Sequence, residues 1–206
     1  MLGLPSTTEV NTRIPKEAFY KKLKMKKAVR EQFVNDIERI SVCNSIKEST
    51  TGIPAGQNIK EILVLKVDLK KRCQPKEALQ LIAAQNAHKL LFVCIFEDEC
   101  FMAVKFKELA TSDWTQLQSV QISLNSESID SAWDSIASQV VYGDTGIKEV
   151  TVEQRYADDA KLYAMNIELE KLEHKRKKEK QYAKKNEMFE QAQELKCKIA
   201  DLMKGR

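Results

Sequence analysis

From Ile147 to Lys204 the chain contains no glycine and no proline, and Lys, Glu, Gln, Ala and Leu dominate it. One unbroken helix over this stretch would run roughly 87 Å, at about 1.5 Å per residue. That exceeds any compact domain the preceding residues can build. The segment must fold back on itself, pair with another chain, or reach outward to a partner. Each outcome makes it an assembly device.

The spacing of its apolar residues separates these outcomes. Leu162, Met165, Leu169 and Leu172 form one ladder, residues 173–181 are wholly polar, and Met188, Ala192, Leu195, Ile199 and Leu202 form a second. The second ladder is out of heptad phase with the first, as a continuous coiled coil would not be. Folding back near Lys180 sets Leu172 against Met188, Leu169 against Ala192, Met165 against Leu195 and Leu162 against Ile199. The spacing therefore predicts an antiparallel helical hairpin (a two-stranded coiled coil) over residues 147–206. The bend lacks the Gly or Pro usual in a turn. A pair of helices buries little alone, so self-association or a larger protein partner is expected through this segment.

Residues 1–146 read as an α+β domain, α/β-like, with a mixed sheet covered by helices. Residues 1–14 read as an extended arm. Helices are expected over Lys16–Lys24, opened by Pro15, and over Lys26 to about Arg39, where Val29, Phe33, Val34 and Ile37 make one apolar stripe. Ile40–Ile46 alternates as a strand, with Ile40, Val42 and Ile46 on one face. Glu48–Asn58 reads as a loop and Glu61–Lys70 as the best strand. Pro75 opens a helix, and Leu90–Phe96 is apolar throughout, as in a central strand. Cys100–Lys107 reads as its hairpin partner and Ser119–Leu124 as a further strand. A helix over Glu127–Val141 is expected to be capped by Asn125 or Ser126. Gly143 and Gly146 read as the linker.

The 206 residues carry a formal charge of +4, unevenly spread. Lys16–Arg30 holds seven Lys/Arg against one Glu, and Lys171–Lys185 holds eight against two. Lys21, Lys22, Lys26 and Lys27, and Lys175, Arg176, Lys177 and Lys178, are the candidate contacts to nucleic acid or to an acidic protein; a solvated helix face is the bland alternative. The odd cysteine count and the absence of CxxC spacing point to a reducing cytoplasm. His88 and His174 lack a second ligand at zinc spacing. No leader and no membrane-spanning run is legible.

Lys66-x-Asp68-x-Lys70 carries the sharpest chemical possibility. Alternation puts the three side chains on one face, and Asp-x-Lys before a helix resembles the element by which metal-dependent nucleases hold Mg²⁺. Asp68 and Lys70 are the candidate catalytic residues, with a second acid from Asp36, Glu38 or Glu48. Glu38 is best placed, just before the first predicted strand. A charged strand end reaching solvent explains the same pattern without chemistry. No other cofactor is indicated. Lys47, Thr50 and Thr51 are a weaker phosphate-binding candidate, with ordinary turn chemistry the alternative.

The stretches LGLPSTTEVNTRIPKEAFY, CNSIKESTTGI, EILVLKVDLK and KKEKQYAKKNE together resemble a bacterial family catalogued as a domain of unknown function. Members often accompany genes for DNA methyltransferases and helicase-like ATPases. They tend to have an acid at the position of Asp68 and a lysine at that of Lys70. The resemblance implies a setting in DNA modification or phage defence. The leading expectation for the chain is a non-enzymatic accessory subunit that docks onto a larger partner. The alternatives are a divalent-metal nuclease and a structural homodimer.

Overall fold

The computed structural model describes residues 2–22, 25–124, 126–144 and 150–204, without the Lys22 side chain. Lys24, Asn125 and Gly146, named above in a helix, a cap and a linker, lie outside the described residues, as does Ile147. The chain divides into two compact units, Met1–Ile147 and Lys148–Arg206.

The first unit is built on one mixed sheet. Its strands are β1 (Glu9–Ile14), β2 (Ile37–Lys47), β3 (Glu61–Leu69), β4 (Lys89–Phe96), β5 (Glu99–Lys105) and β6 (Leu109–Thr111), in that spatial order; a short β7 (Thr115–Gln116) also pairs with β5. Only β3 and β4 run parallel; the other neighbours are antiparallel. A parallel pair needs a crossover, and α4 (Lys76–Ala84) supplies it. Helices α1 (Lys16–Lys22) and α2 (Lys27–Asn35) precede β2, α3 (Glu48–Thr51) follows it, and α5 (Ile129–Tyr142) closes the unit.

Phe33 of α2 and Leu79 and Ile82 of α4 bury one sheet face around Leu65, Val67 and Phe92. On the other face α5 packs against β3, β5 and β6, burying Ile129, Trp133, Ile136 and Val140. Helices on both faces explain why every residue from Leu90 to Ile95 is buried and apolar.

Several elements differ from the sequence expectation. The arm's second half is β1, an edge strand; all its residues but Ile14 are exposed, so no apolar alternation advertises it. Helix α2 stops at Asn35, four residues before Arg39, because Ile37 and Arg39 pair with β3 instead. Register shifts make Glu38 and Cys43 the extra residues of two bulges in β2. The second bulge reverses the alternation, so Ile40 pairs with Val67 on one face and Ile46 with Ile62 on the other. Glu48–Thr51 winds into one helical turn ended by Gly52 in the left-handed region. Residues 119–124 form no strand, and Ser128, not Ser126, caps α5.

The second unit is the hairpin. Helix α6 (Val152–Lys178) and α7 (Tyr182–Lys204) pack together and leave three residues, Glu179–Gln181, for the bend. The Glu179 carboxylate accepts the Gln181 N–H at 2.8 Å, a local bond that serves where glycine is absent. Four basic residues, Lys175–Lys178, occupy the last turn of α6, where the helix dipole favours them. Contacts across the pair join Glu173 to Lys196 (2.7 Å) and Arg176 to Phe189, with Leu172 and Leu195 along one groove. These run about one and a half to two and a half turns further along α7 than folding symmetric about Lys180 gives. Residues 180–187 are accordingly all exposed.

Candidate functional site

Asp68 stands near the end of β3 with its carboxylate held by two cations. Arg39, its cross-strand partner on β2, donates from Nε to Oδ2 at 2.8 Å. Lys66, two residues back on the same face, reaches Oδ1 at 3.0 Å. Only 16% of the Asp68 side chain is exposed, against 52% for Arg39. The bond from Asp68 holds the Arg39 guanidinium above its ordinary pKa. Each carboxylate oxygen thus already meets one cation, and a metal ion at Asp68 would share the carboxylate with Arg39 and Lys66.

Lys70 does other work. Strand β3 ends at Leu69, and the Lys70 ammonium donates to the Val34 carbonyl at 2.7 Å. Lys16 donates to the carbonyls of Phe33 (3.2 Å) and Ile37 (2.9 Å). Two lysines therefore satisfy the Phe33 and Val34 carbonyls in the last turn of α2, where cations are favoured, and Lys16 reaches on to the first residue of β2. Burial, then repulsion from Lys70, lowers the pKa of Lys16.

The proposed second acids are dispersed. Asp36 pairs with Lys71 at 2.8 Å. Glu38 is exposed in its bulge, with Arg39 and Lys16 among its electrostatic neighbours. Glu48 accepts the Ala55 N–H at 3.4 Å. Among the described residues no group of three His, Cys, Asp or Glu is disposed to hold a metal. Lys47, Thr50 and Thr51 are tied into their own turn: the Thr50 hydroxyl accepts the Lys47 N–H, and the Thr51 hydroxyl donates to the Lys47 carbonyl. Burial raises the thiol pKa of Cys43, Cys73, Cys94 and Cys100, which keeps these four protonated at neutral pH.

The basic residues divide similarly. Lys21, Lys26 and Lys27 are exposed; the Lys22 side chain lies outside the description. On the hairpin Lys175, Lys177 and Lys178 are exposed, whereas Arg176 is half-buried with its guanidinium 5.4 Å from the Phe189 ring centroid. Its Nε is buried without a hydrogen-bond partner. Arg176 is a packing residue of the hairpin.

Asp130 was not legible as important from sequence. Its carboxylate accepts the N–H groups of Gln57 (2.8 Å), Asn58 (3.2 Å) and Ile59 (2.7 Å), strapping the loop before β3 to the start of α5. Burial pushes its pKa up, but these three donors outweigh that and hold it below the ordinary Asp value. Gly56 was the available signal, a glycine in a loop that a bound carboxylate crowds.

Residues 2–199 match the family described as Domain of unknown function (DUF4391). The chain belongs to the DUF4391 family. No curated protein and no solved structure matches it. The DUF4391 match runs through the sheet unit and nearly to the end of α7, so the hairpin is part of the family domain. Two stretches that carried the resemblance meet in this DUF4391 fold: Thr7 donates to the Thr50 carbonyl (2.6 Å), and Asn44 donates to the buried Thr8 hydroxyl (2.8 Å). They hold the chain's start against β2.

Proposed function

We propose that this DUF4391 protein is a non-enzymatic interaction subunit of a bacterial DNA-modification or phage-defence system, docking through its helical hairpin onto a larger partner. The observation that carries the reading is the hairpin's end. Lys175, Lys177, Lys178, Lys180, Lys184 and Lys185 are all exposed around one bend, on a pair of helices that belongs to the family domain. Such concentrated charge suits an acidic protein surface or a phosphate backbone. The five free cysteines support a cytoplasmic setting, and among the described residues no helix is long and apolar enough to cross a membrane. Charge reversal at Lys175, Lys177 and Lys178 tests the reading. Loss of partner capture or of DNA retention is expected; unchanged capture and retention overturn it.

A divalent-metal nuclease is the second reading. Asp68 lies at the carboxy end of the one parallel strand pair, where ligands commonly bind in sheets of this kind. DNA cleavage with Mg²⁺ or Mn²⁺ that disappears in Asp68→Ala would establish it. A structural homodimer, the third reading, predicts a doubled mass in solution with neither DNA nor a larger partner bound.

A further inference from the structure

The hairpin leaves its own seam half open. Of the two apolar ladders, Ala192 is buried and every other member is only half-buried. Leu172 and Leu195 floor a groove along one flank. Glu168, Lys171 and Lys175 wall it on α6, and Gln191, Glu194 and Lys198 on α7. In a four-helix bundle a second pair of helices covers such a seam.

The walls select what the second pair is. The Glu173–Lys196 bridge and the Arg176–Phe189 contact fix which residues of α6 and α7 stand level. On that register Lys175 stands level with Gln191, Lys171 with Glu194 and Glu168 with Lys198. The wall charges are therefore opposite in sign across the groove. The bond from Glu194, at 2.8 Å, raises the Lys198 pKa, and the charge of Glu168 adds to it. That Glu194–Lys198 pair lies on one exposed helix face, where it contributes little and leaves both groups open to a further partner.

A uniformly acidic partner would meet both signs here, whereas a second copy of the chain meets its own complement. In a twofold interface each contact occurs twice. Turned about an axis along the hairpin, the second copy lays its α7 over α6. Lys171 then meets the second copy's Glu194, and Glu168 its Lys198. Turned end over end, the copies would instead set Lys171 against Lys171 and Glu194 against Glu194.

We infer that two copies of the chain pair through this groove in a parallel four-helix bundle, which brings their basic ends together. The inference rests on the hairpin as an interaction surface, but not on what its basic end captures. Lys177 and Lys178 lie outside the groove lining. Unlike a purely structural homodimer, this assembly leaves the basic ends free for a partner.

Sedimentation equilibrium of the full chain between about 1 and 100 μM is expected to show a concentration-dependent doubling of mass. Lys171→Glu or Glu194→Lys alone should weaken the dimer about tenfold or more, because each sets like charges together at both symmetric contacts. An equimolar mixture of the two variants should recover it, since both contacts of the mixed dimer are again opposite in sign. Circular dichroism checks that each variant keeps its helices; where one does not, Glu168→Lys and Lys198→Glu serve in the same way. One measurement needs no variant: carbodiimide cross-linking of mixed isotope-labelled and unlabelled chains should join Lys171 of one copy to Glu194 of the other. A chain that stays monomeric to about 100 μM, folded single variants that dimerise like the wild type, a mixture no tighter than its components, or a cross-link confined to single chains would overturn the assignment. Charge reversal at Lys177 and Lys178 should abolish capture yet leave the doubled mass. Capture of a partner by a monomeric chain would overturn this inference and leave the docking reading standing.

Discussion

Gly56 sits so close to Asp130 that a methyl group on its Cα would lie 2.2 Å from the Asp130 carboxylate and 2.8 Å from the Asp130 backbone nitrogen. The second atom belongs to the first turn of α5 and cannot swing away. Gly56→Ala must therefore lift the strap off the helix. A loss of about 2–4 kcal/mol is expected, read as a lowered urea midpoint. Asp130→Ala removes the acceptor of three N–H groups, and the double variant should cost less than the two single losses added, because both break one contact.

Asp130 also makes stability depend on acidity. Its folded pKa lies below its unfolded value. The contribution is therefore complete above the ordinary Asp pKa of about 3.9 and disappears as pH falls through the lower folded value. Asp130→Asn should destabilise the protein at pH 7 and much less at the acid end. Parallel curves for wild type and variant across that range would refute the assignment.

The paired lysines at the end of α2 predict separable effects. Lys16→Met, which leaves the Phe33 and Ile37 carbonyls without their donor, should cost about 1–2 kcal/mol. Lys70→Met, at a more exposed position, should cost about 0.5–1 kcal/mol. Chemical denaturation measures both. If Lys70→Met instead abolished a metal-dependent DNA cleavage without touching stability, the nuclease reading would gain.

On the hairpin, Ala192 is the most deeply buried residue of α7, at 3% exposure. Ala192→Asp places a charge in the seam and should separate the helices. Reduced ellipticity at 222 nm and faster proteolysis beyond residue 150 are the expected signs. Ala192→Ser should be mild.

Arg176 and Lys177 are adjacent in sequence but not equivalent. Arg176→Ala removes the cation stacked on Phe189 and should cost about 0.5–1 kcal/mol. Lys177→Ala should cost nothing measurable by melting, yet it lowers the charge of the hairpin's end and should weaken capture of a polyanion.

Much of the architecture is legible in the residues because it follows from repetition. Alternation marks β3, an unbroken apolar run marks β4, and the phase break between Leu172 and Met188 locates the hairpin's bend. What escapes repetition is hidden. Strand β1 is an edge, and its exposed residues need no apolar pattern. The bulge at Cys43 turns Ile40 and Ile46 to opposite faces, which no period-two reading can foresee. Lys70 follows Asp68 in phase, but the strand ends between them, and the lysine's geometry comes from the nearby end of α2.

The N-terminal strand carries a practical consequence. β1 occupies the outer edge of β2, and Thr8 within the preceding turn receives the Asn44 amide. A shortened protein starting at Pro15 would leave that amide unsatisfied and bare an eleven-residue strand. Unpaired strand edges recruit strands from neighbouring molecules. Trimming the fourteen residues before Pro15 should therefore make the protein clump.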